Sequence, residues 1–499
     1  MKKIILITYL IFSSTLVLYG QSSYELWFNS RNHDEVGLRL LKTNGDYTLA
    51  IVSIGPGQNH SYHFSKVLKI SLTGDTTSWT VFKQDTLIQI FDCLETNNGN
   101  IIWRADGWVL DSAGHKSSGF QWICKTDPEF NIFWEKCYYL DFPSWGGSRS
   151  TLYQESDSTF LYLKSMIADT TGYSYTYLFK FNEQGDSLFY KIFPYLMSSS
   201  DLTSLTRNIN SDILWFHFYI GDDPSLSPLK VALLDENYDS ICTMYYPLQL
   251  ATAPFNTVEY KNGLLSAVSY QIYNHQIEEM EWYILLMRFD DEFNMLDTTT
   301  LTEPAPDKPT YTAWTDIVDY HYENRIYVGG NFNIHSLPFS QIPSWIYIGC
   351  LDSNLNIHHE HYFGGDAFYS IFSVAASDDG GVWVTGDKYD HLIQDMERDA
   401  FIFKYDSALF VGKSEIQSGD KNKVIIYPNP GNEIIRLHCN QNNLRFRIFD
   451  QKGRLVFNSM IRSAETTIDC SQLKPGIYIW YLTNGGELYD TGKWVKLKY

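Results

Sequence analysis

The feature that most constrains the fold is a repeat that fills the middle of the chain. One recurring phrase is an apolar segment, a turn of Asp, Asn or Gly, and an aromatic-rich segment. A second phrase is a short turn followed by an apolar segment. The two phrases alternate seven times, with a period of roughly 52 to 62 residues. Because such turns between alternating apolar segments indicate hairpins, each period predicts four antiparallel strands.

The copies are regularly placed. The first phrase begins at Ser65, Gln121, Thr176, Leu229, Trp282, Trp345 and Asp399, and the turns of the second lie at 44–45, 98–99, 157–158, 211–212, 262–263, 323–324 and 379–380. Four-stranded repeats of this length are typical of propeller blades, and residues 21–418 show no sustained helical periodicity. We therefore predict an all-β chain with a seven-bladed β-propeller over residues 21–412. An irregular tandem of β-sandwiches is the alternative.

The seventh copy, from Asp399, lacks an aromatic outer strand. At the other end, the strand-like segment 24–28 precedes the first complete repeat and has no partner of its own. Pairing the two would hide two sheet edges and close the ring. We therefore expect Leu26 to pair with the strand at 401–404.

The N-terminus predicts export. Lys2 and Lys3 precede an apolar run of 15 residues, 4–18, and Gly20 offers a small residue for cleavage. A membrane anchor needs about 20 apolar residues, and a lipoprotein needs a cysteine near the cut. Residues 1–20 are therefore predicted to be a signal peptide, and no transmembrane anchor is expected.

Charge divides the chain into two parts. Residues 21–420 hold 24 Lys and Arg against 52 Asp and Glu, whereas residues 421–499 hold 12 against six. The acidic body would repel a phosphate backbone, so nucleic acid is excluded as a partner. Solubility explains this acidity most simply, and binding of a cation or a basic partner is the alternative.

The basic tail has its own strand pattern. A short strand ends at Tyr427 and is followed by two prolines, and further strands are predicted at 434–438, 444–450, 454–458, 477–481 and 493–497. These strands predict a small β-sandwich over residues 423–499. The polar segment 413–422 lacks strand alternation and is predicted to be the linker.

Four motifs carry a resemblance in this tail. They are YPNP at 427–430, FDQKGRLV at 449–456, LKPGIYIW at 473–480 and GKWVKLKY at 492–499. In order and spacing they closely resemble the type A C-terminal sorting domain of the type IX secretion system. The resemblance implies export to the outer-membrane surface or the medium, with the translocon and its sorting machinery as partners. It implies the following sorting-signal residues: Tyr427, Pro428, Asn429, Pro430, Gly453, Gly476, Tyr478 and Lys493.

Several groups of residues were weighed as chemical sites. His358, His359, Glu360 and His361 suggest zinc, but a strand directs alternate side chains to opposite faces. Residues 377–383 resemble the Asp-box of sialidase propellers but are one residue short before Trp383. The acidic runs 278–281 and 290–292 could supply paired carboxylates for glycoside cleavage. Each is explained more simply by a strand or a hairpin turn, so no catalytic, metal or cofactor-binding residue is predicted.

Two residue types leave alternatives open. Trp145, Trp215 and Trp314 could stack on sugars, although most aromatics in such a fold belong to the core. The chain has seven cysteines and no CxxC pair, and Cys439 and Cys470 could form a disulfide in an oxidising compartment.

The function we infer is a secreted or cell-surface binding or scaffolding module, with a glycan or a protein as ligand. The alternative is a carbohydrate-active or peptide-cleaving enzyme with its site in the propeller channel.

Overall fold

A computed structural model describes most of the chain between Tyr24 and Lys496. The described residues are 24–28, 33–45, 47–56, 64–72, 74–81, 86–110, 116–139, 150–167, 174–193, 203–207, 213–218, 229–246, 251–261, 263–274, 279–290, 292–301, 310–321, 325–334, 340–392, 397–407, 424–427, 431, 434–439, 443–450, 454–463, 465–484 and 487–496. The predicted signal peptide 1–20 and linker 413–422 lie outside these residues and remain predictions.

The described part of the body folds into seven antiparallel sheets, which we number along the chain. Sheets 1 to 4 contain β2 (His33–Lys42), β3 (Tyr47–Pro56), β4 (Phe64–Ser71), β5 (Thr76–Val81), β6 (Thr86–Glu95), β7 (Ile101–Leu110), β8 (Lys116–Thr126), β9 (Ile132–Tyr138), β10 (Ser150–Ser156), β11 (Thr159–Ile167), β12 (Ser174–Asn182), β13 (Ser187–Phe193), β14 (Thr203–Arg207), β15 (Ile213–Phe218), β16 (Leu229–Leu234) and β17 (Ser240–Tyr246). Each of these sheets has four strands in sequence order.

Sheets 5 to 7 complete the body. They contain β18 (Ala251–Tyr260), β19 (Gly263–Asn274), β20 (Glu279–Phe289), β21 (Met295–Leu301), β22 (Thr310–Thr312), β23 (Val318–His321), β24 (Arg325–Phe332), β25 (Trp345–Leu351), β26 (Ile357–Gly364), β27 (Phe368–Ala376), β28 (Val382–Tyr389), β29 (Asp399–Tyr405) and β1 (Tyr24–Trp27). In sheet 6 the first strand is divided, so that β22 and β23 both pair with β24. The all-β, propeller-like prediction is confirmed.

The N-terminal strand β1 is the fourth strand of sheet 7. It pairs antiparallel with β29, and Leu26 lies opposite Ile402 as expected. The T-shaped contact of Tyr24 with Trp383, at 5.4 Å between ring centroids, fixes the strand on that sheet. This pairing explains why the seventh repeat is short, because its missing outer strand comes from the other end of the body.

Apolar side chains fill the spaces between successive sheets. Trp103 and Trp122 of sheet 2 pack with residues of sheet 1, and another cluster joins Trp383 and Ile402 of sheet 7 to Leu68 of sheet 1. Both tryptophans of sheet 2 and Trp383 are almost completely buried. Each sheet therefore has two apolar faces, and each face packs against a neighbouring sheet.

Six third-to-fourth strand connections share one five-residue turn. The first residue accepts a backbone bond from the fourth and donates one to the fifth, for example at residues 127–131 and 352–356. Its side chain also caps the turn, as Asp352 does by accepting from the backbone N–H of Asn354 and Asn356. The fourth residue has positive φ even where it is Leu355, at 61°. This turn is the Asp/Asn/Gly signal of the repeat.

The two ends of the sheets differ in their connections. Connections between first and second strands and between third and fourth strands are two to five residues long, and they join strand ends on one side. The remaining connections join strand ends on the opposite side and are three to twelve residues long. We call this opposite side the loop-rich end. Sequence variation and binding residues concentrate in such connections.

The tail forms a separate two-layer sandwich. One sheet contains β30 (Ile425–Tyr427), β31 (Ile434–His438) and β34 (Glu465–Asp469), and the other contains β33 (Leu455–Ile461), β32 (Leu444–Asp450), β35 (Gly476–Asn484) and β36 (Glu487–Lys496). Its core is one apolar cluster that includes Phe446, Trp480 and Trp494. The tail also touches the body, since Arg436 Nη1 donates a 2.8 Å hydrogen bond to the carbonyl oxygen of Gly365.

The proposed disulfide between Cys439 and Cys470 is wrong. In the β31–β34 ladder, His438 lies opposite Glu465 and Ile434 lies opposite Asp469. The two cysteines therefore follow opposite ends of the paired segment, about 20 Å apart at ~3.3 Å per residue. A disulfide needs Cα atoms about 4.4–6.8 Å apart. Both side chains are instead buried among the apolar residues of the sandwich.

Candidate functional site

A polar network lies where the first strands of several sheets converge. Arg39 of β2 contacts Asp92 of β6, and its Nη2 lies 3.1 Å from Oδ1 of Asp316, which precedes β23. Asp316 also accepts a 2.7 Å bond from Ser373 Oγ of β27. Arg39 of sheet 1 thus contacts residues of sheets 2 and 6. Sheets 1 and 6 are not direct neighbours, because sheet 7 packs against both of them. Such reach requires these strands to be close together, as at the axis of a ring.

Bulges in the first strands direct these side chains. The register of β2 shifts between Gly37 and Arg39, that of β6 between Ile90 and Asp92, and that of β27 between Ile371 and Ser373. In each sheet the residue after the extra one joins the network. A bulge commonly re-aims a side chain in this way. The sequence signal is Gly-Leu-Arg at 37–39, Ile-Phe-Asp at 90–92 and Ile-Phe-Ser at 371–373, in the first strands of sheets 1, 2 and 7, and sequence analysis missed it.

The two carboxylates of this network are fully engaged. Asp92 uses Oδ1 for Arg39 and accepts a 2.8 Å bond from the Leu152 backbone N–H with Oδ2. Asp316 uses its two oxygens for Arg39 and Ser373. Burial raises the pKa of Asp92 to about 6, although the charge of Arg39 opposes this shift. Two carboxylates therefore converge, but on an arginine that they hold in place.

The network continues as alternating charges between sheets 2 and 3. Asp92 lies opposite Arg104 in the β6–β7 ladder, and Arg104 contacts Asp106. Asp106 accepts bonds of 2.7 and 2.8 Å from Lys164 Nζ of β11. Burial lowers the pKa of Lys164 to about 8, while Arg104 and Lys164 keep the pKa of Asp106 below its usual value despite burial. Charges of opposite sign alternate from Asp316 to Lys164, as is expected of a structural network.

The engaged oxygens of Asp92 and Asp316 argue against a glycosidase site in this network. A retaining or inverting glycosidase needs one carboxyl group to release a proton and one to attack or activate water, and both must reach the substrate. All four carboxylate oxygens of Asp92 and Asp316 already accept hydrogen bonds or ion pairs. The network therefore holds the sheets together rather than offering an acid and a base.

Beside the network, four half-buried aromatic side chains form a row from sheet 5 to sheet 7. Ring centroids are 4.8 Å apart for Trp282 and Tyr311, 6.3 Å for Tyr311 and Trp314, and 6.4 Å for Trp314 and Phe372. Trp314 Nε1 donates a 2.7 Å bond to Ser370 Oγ, which orients its indole. Trp282 and Tyr311 lie near strand starts at the loop-rich end. We call these four residues the aromatic row.

The histidine segment 358–361 lies in β26, and its side chains divide as expected. His358 is about half exposed, and its Nε2 is 3.3 Å from Asp352 Oδ2. His361 is half-buried in T-shaped contact with Tyr405, at 4.9 Å, and desolvation lowers its pKa to about 3. The two imidazoles therefore lie in different environments. Among the residues that the structure describes, no group of three or more His, Cys, Asp or Glu is placed to hold a metal ion.

The Asp-box-like segment 377–383 and the acidic run 290–292 lie at turns, whereas Glu279 and Glu281 of the other acidic run lie at the start of β20. Ser377 and Gly381 close the connection between β27 and β28, and Trp383 is buried in the core behind it. Asp290 caps its own turn by accepting from the backbone N–H of Glu292 and Asn294. Both observations confirm the simpler interpretation. Glu278 and Asp291 lie outside the described residues.

Of the three tryptophans named from the sequence, only one can be placed. Trp314 belongs to the aromatic row, whereas Trp145 lies outside the described residues and only the backbone of Trp215, in β15, is described. Trp282 and Tyr311 were not singled out, because the sequence does not reveal which aromatics of different repeats meet.

The implied sorting residues serve different purposes in the tail. Tyr478 is buried, contacts Trp494 and donates a 2.6 Å bond to the Lys474 carbonyl oxygen. Lys493 is half-buried on the opposite face, and burial lowers its pKa. Gly476 begins β35 and Tyr427 ends β30. The remaining four, Pro428, Asn429, Pro430 and Gly453, lie outside the described residues.

Comparison with protein families agrees with the resemblance read from the motifs. Residues 425–496 match the family of secretion system C-terminal sorting domains. The recognition of this domain is therefore confirmed, and it implies export to the cell surface or the extracellular space. No curated protein matches the chain. No helix among the described residues is long and apolar enough to cross a membrane.

Comparison with solved structures gives only distant likenesses. PorZ, a surface component of the type IX secretion system of Porphyromonas gingivalis, is 10% identical, with 92% of this chain and 75% of that chain covered and a TM-score of 0.29. The β-propeller domain of the Trilobed protease from Pyrococcus furiosus is also 10% identical, with 77% and 99% covered and a TM-score of 0.39. These scores are too low to support an argument about function.

Proposed function

We propose that this protein is an exported, seven-bladed propeller that binds a carbohydrate at its loop-rich end, with residues 423–499 as its address. Residues 1–20 act as the signal peptide, residues 21–412 form the ring, and residues 413–422 are the linker. Ring closure is supported by the β1–β29 pairing and by the cluster that joins sheet 7 to sheet 1. Scaffolding of a protein partner is the second form of this proposal.

The observation that carries the proposal is the aromatic row beside a network of engaged charges. Half-buried aromatic rings offer apolar faces on which the C–H faces of sugars can stack. The neighbouring carboxylates of Asp92 and Asp316 are tied to Arg39, so neither of these two offers the row a free acid or base. Rigid sheets that hold such rings at the loop-rich end place them where binding residues concentrate.

The test is a printed array of neutral and acidic oligosaccharides, probed with the mature full-length chain. We expect binding that Trp314→Ala and Trp282→Ala each weaken by about tenfold, which corresponds to ~1.4 kcal/mol. The control is Tyr190→Ala, because Tyr190 is 64% exposed on the outer strand of sheet 3, away from the row. Melting temperatures check that each variant is folded.

Two outcomes would contradict the carbohydrate proposal. Wild-type protein that binds no glycan would favour a protein ligand, and unchanged binding by both tryptophan variants would move the site elsewhere. Release of reducing sugar from a bound oligosaccharide would instead establish the enzyme alternative.

A further inference from the structure

The outer face of the four-stranded tail sheet is defined by its ladder register. In β32 and β33, Arg445 lies opposite Met460 and Arg447 lies opposite Asn458. In an antiparallel pair, directly opposed side chains lie on the same face. The alternate residues of β32, such as Phe446, are buried in the sandwich core. The face that includes Arg445 and Arg447 is therefore the one directed away from the core.

The same register extends this face across β35 and β36. Arg447 lies opposite Tyr481, Phe449 lies opposite Ile479, and Ile479 in turn lies opposite Lys493. The residues on this face whose side chains the structure describes are the following: Arg445, Arg447, Phe449, Asn458, Met460, Ile479, Tyr481, Thr483 and Lys493. We call them the basic sheet face. Among these described side chains three are cationic and none is Asp or Glu.

Apolar groups are exposed among these cations. Met460 is 40% exposed, Tyr481 is 37% exposed, and Leu455 at the edge of the face is 50% exposed. The edge of the Phe449 ring packs on Tyr481 at 5.4 Å, which gives the centre of the face a fixed shape. Arg447 Nη2 lies 3.4 Å from Thr483 Oγ1. Exposed aromatic and aliphatic side chains surrounded by arginine are typical of protein interfaces.

The body of the same chain contacts the other layer of the sandwich. Arg436 belongs to β31 of the three-stranded sheet, and it bonds to Gly365 of the body. The basic sheet face belongs to the opposite layer. The described contact with the body therefore leaves this face available to another molecule.

We propose that the basic sheet face is the surface by which the tail docks on an acidic protein surface of the secretion machinery. The proposal rests on the sorting assignment and names the surface and the chemistry of the partner. Its argument is charge complementarity, because three cations and no acid among the described side chains of this face favour a partner of negative potential. The buried motif residues Tyr478 and Trp494 then serve folding, whereas docking uses the motif residues Phe449, Ile479 and Lys493 together with Arg445 and Arg447, which lie outside the motifs.

The test is surface display of the full-length chain in a host that carries this secretion system. We expect the triple variant R445E/R447E/K493E to accumulate in the periplasm, with surface protein reduced at least tenfold. The matched control is the single variant K474E, which reverses an exposed charge outside the strands of this face, is compared with R445E, and should retain at least half of wild-type display. The conservative variant R445K/R447K/K493R should also be displayed.

Folding must be separated from docking, because Arg447 and Lys493 are partly buried. R445E alone alters an exposed side chain, and it should reduce display measurably while the purified full-length chain keeps its melting temperature. Equal reduction by the off-face control would overturn the proposal by showing that only total charge matters.

Other outcomes identify other occupants and overturn the proposal. Transport of the triple variant with release to the medium would favour an anionic lipopolysaccharide, and normal display with an altered oligomeric state would favour a second copy of this chain. Deletion of residues 423–499 tests the sorting assignment separately from the role of the basic sheet face. A deleted chain that still reaches the surface refutes sorting itself, whereas a trapped deletion with a normally displayed triple variant refutes only the basic sheet face.

Discussion

The body and the tail are both antiparallel β structures, yet they are held together differently. The body buries many charged groups between its sheets, and these include Asp34, Asp92, Arg104, Asp106, Lys164, Asp387 and Arg398. Among the described residues of the tail core, the buried charge is Lys496, whose Nζ donates to the Cys470 and Ser471 carbonyl oxygens. The tail is otherwise an apolar sandwich.

This difference follows from how many similar sheets each region must arrange in the correct order. Every sheet of the body offers two similar apolar faces, and apolar contact alone does not identify the correct neighbour. Buried ion pairs add little net stability but penalise wrong partners, since a misplaced sheet would leave a charge without its counterion. The tail has only two sheets to match, so apolar packing suffices.

The largest expected effect comes from removing a buried counterion in the body. Asp106→Ala leaves Arg104 and Lys164 buried without their carboxylate, and we expect a loss of about 3–5 kcal/mol in the free energy of unfolding. Urea unfolding of the mature chain measures it. Asp186→Ala is the control, because Asp186 pairs with Lys136 of the neighbouring sheet but is 62% exposed. That control should cost much less, because an exposed ion pair adds little to stability. Equal losses would contradict the specifying role of burial.

How much of this was readable from the sequence differs between the regions. Strand alternation and turn residues predicted the sheets and the tail strands at 434–438 and 444–450, because these depend on local periodicity. The β1–β29 pairing was predicted differently, from a first strand without a partner and a seventh repeat without an outer strand. The tail strand β36 begins at Glu487, earlier than the predicted residue 493, since its polar first half still pairs with β35. Side-chain contacts between repeats, such as Arg39 with Asp316, depend on how the sheets pack in three dimensions and were not predictable.

A smaller effect should appear as a pH dependence of the free energy of unfolding, which arises from buried charges at the junction of the first and last sheets. Arg398 binds Asp34 through bonds of 2.6 and 2.8 Å and binds Asp387 at 2.9 Å, so two buried carboxylates share one guanidinium. Burial raises the pKa of Asp387 to about 7, and the neighbouring Asp34 adds to the shift against the opposing charge of Arg398.

The sign of this dependence follows from proton binding. The folded protein retains a proton on Asp387 that the unfolded chain releases near pH 4, so stability falls as the pH rises from about 4 to 7. Between pH 5 and 8 we expect Asp387 to contribute a loss on the order of 2 kcal/mol, which Asp387→Asn should remove while the smaller contribution of Asp92, whose pKa is also raised, remains. In the tail the pKa of Asp469 is lowered by its bonds to Ser471, so that group acts in the opposite direction, below pH 4. An unchanged pH profile for the variant would refute the assignment.

The smallest effect tests a feature that the two regions share. Asp352 of the body and Asp450 of the tail each cap a five-residue turn, and Asp450 accepts a 2.9 Å bond from the Arg454 backbone N–H. Removing such a cap leaves backbone donors to water, so Asp352→Ala and Asp450→Ala should each cost about 1 kcal/mol. Asp352→Asn keeps an acceptor oxygen and should cost less.

Equal losses of unfolding free energy for the two variants would show that these turns contribute independently of the side chains packed between the sheets of each region. The hydrogen bonds of Asp352 lower its pKa to about 2, with burial acting against them, so its contribution should persist at pH 5 and disappear only in strong acid. Urea unfolding of the full-length chain, followed separately for the body and the tail transitions, measures both variants. A much larger loss at Asp352 than at Asp450 would mean that the body turns also specify how its sheets pack, and the contrast between the regions would then extend from the buried charges to the surface.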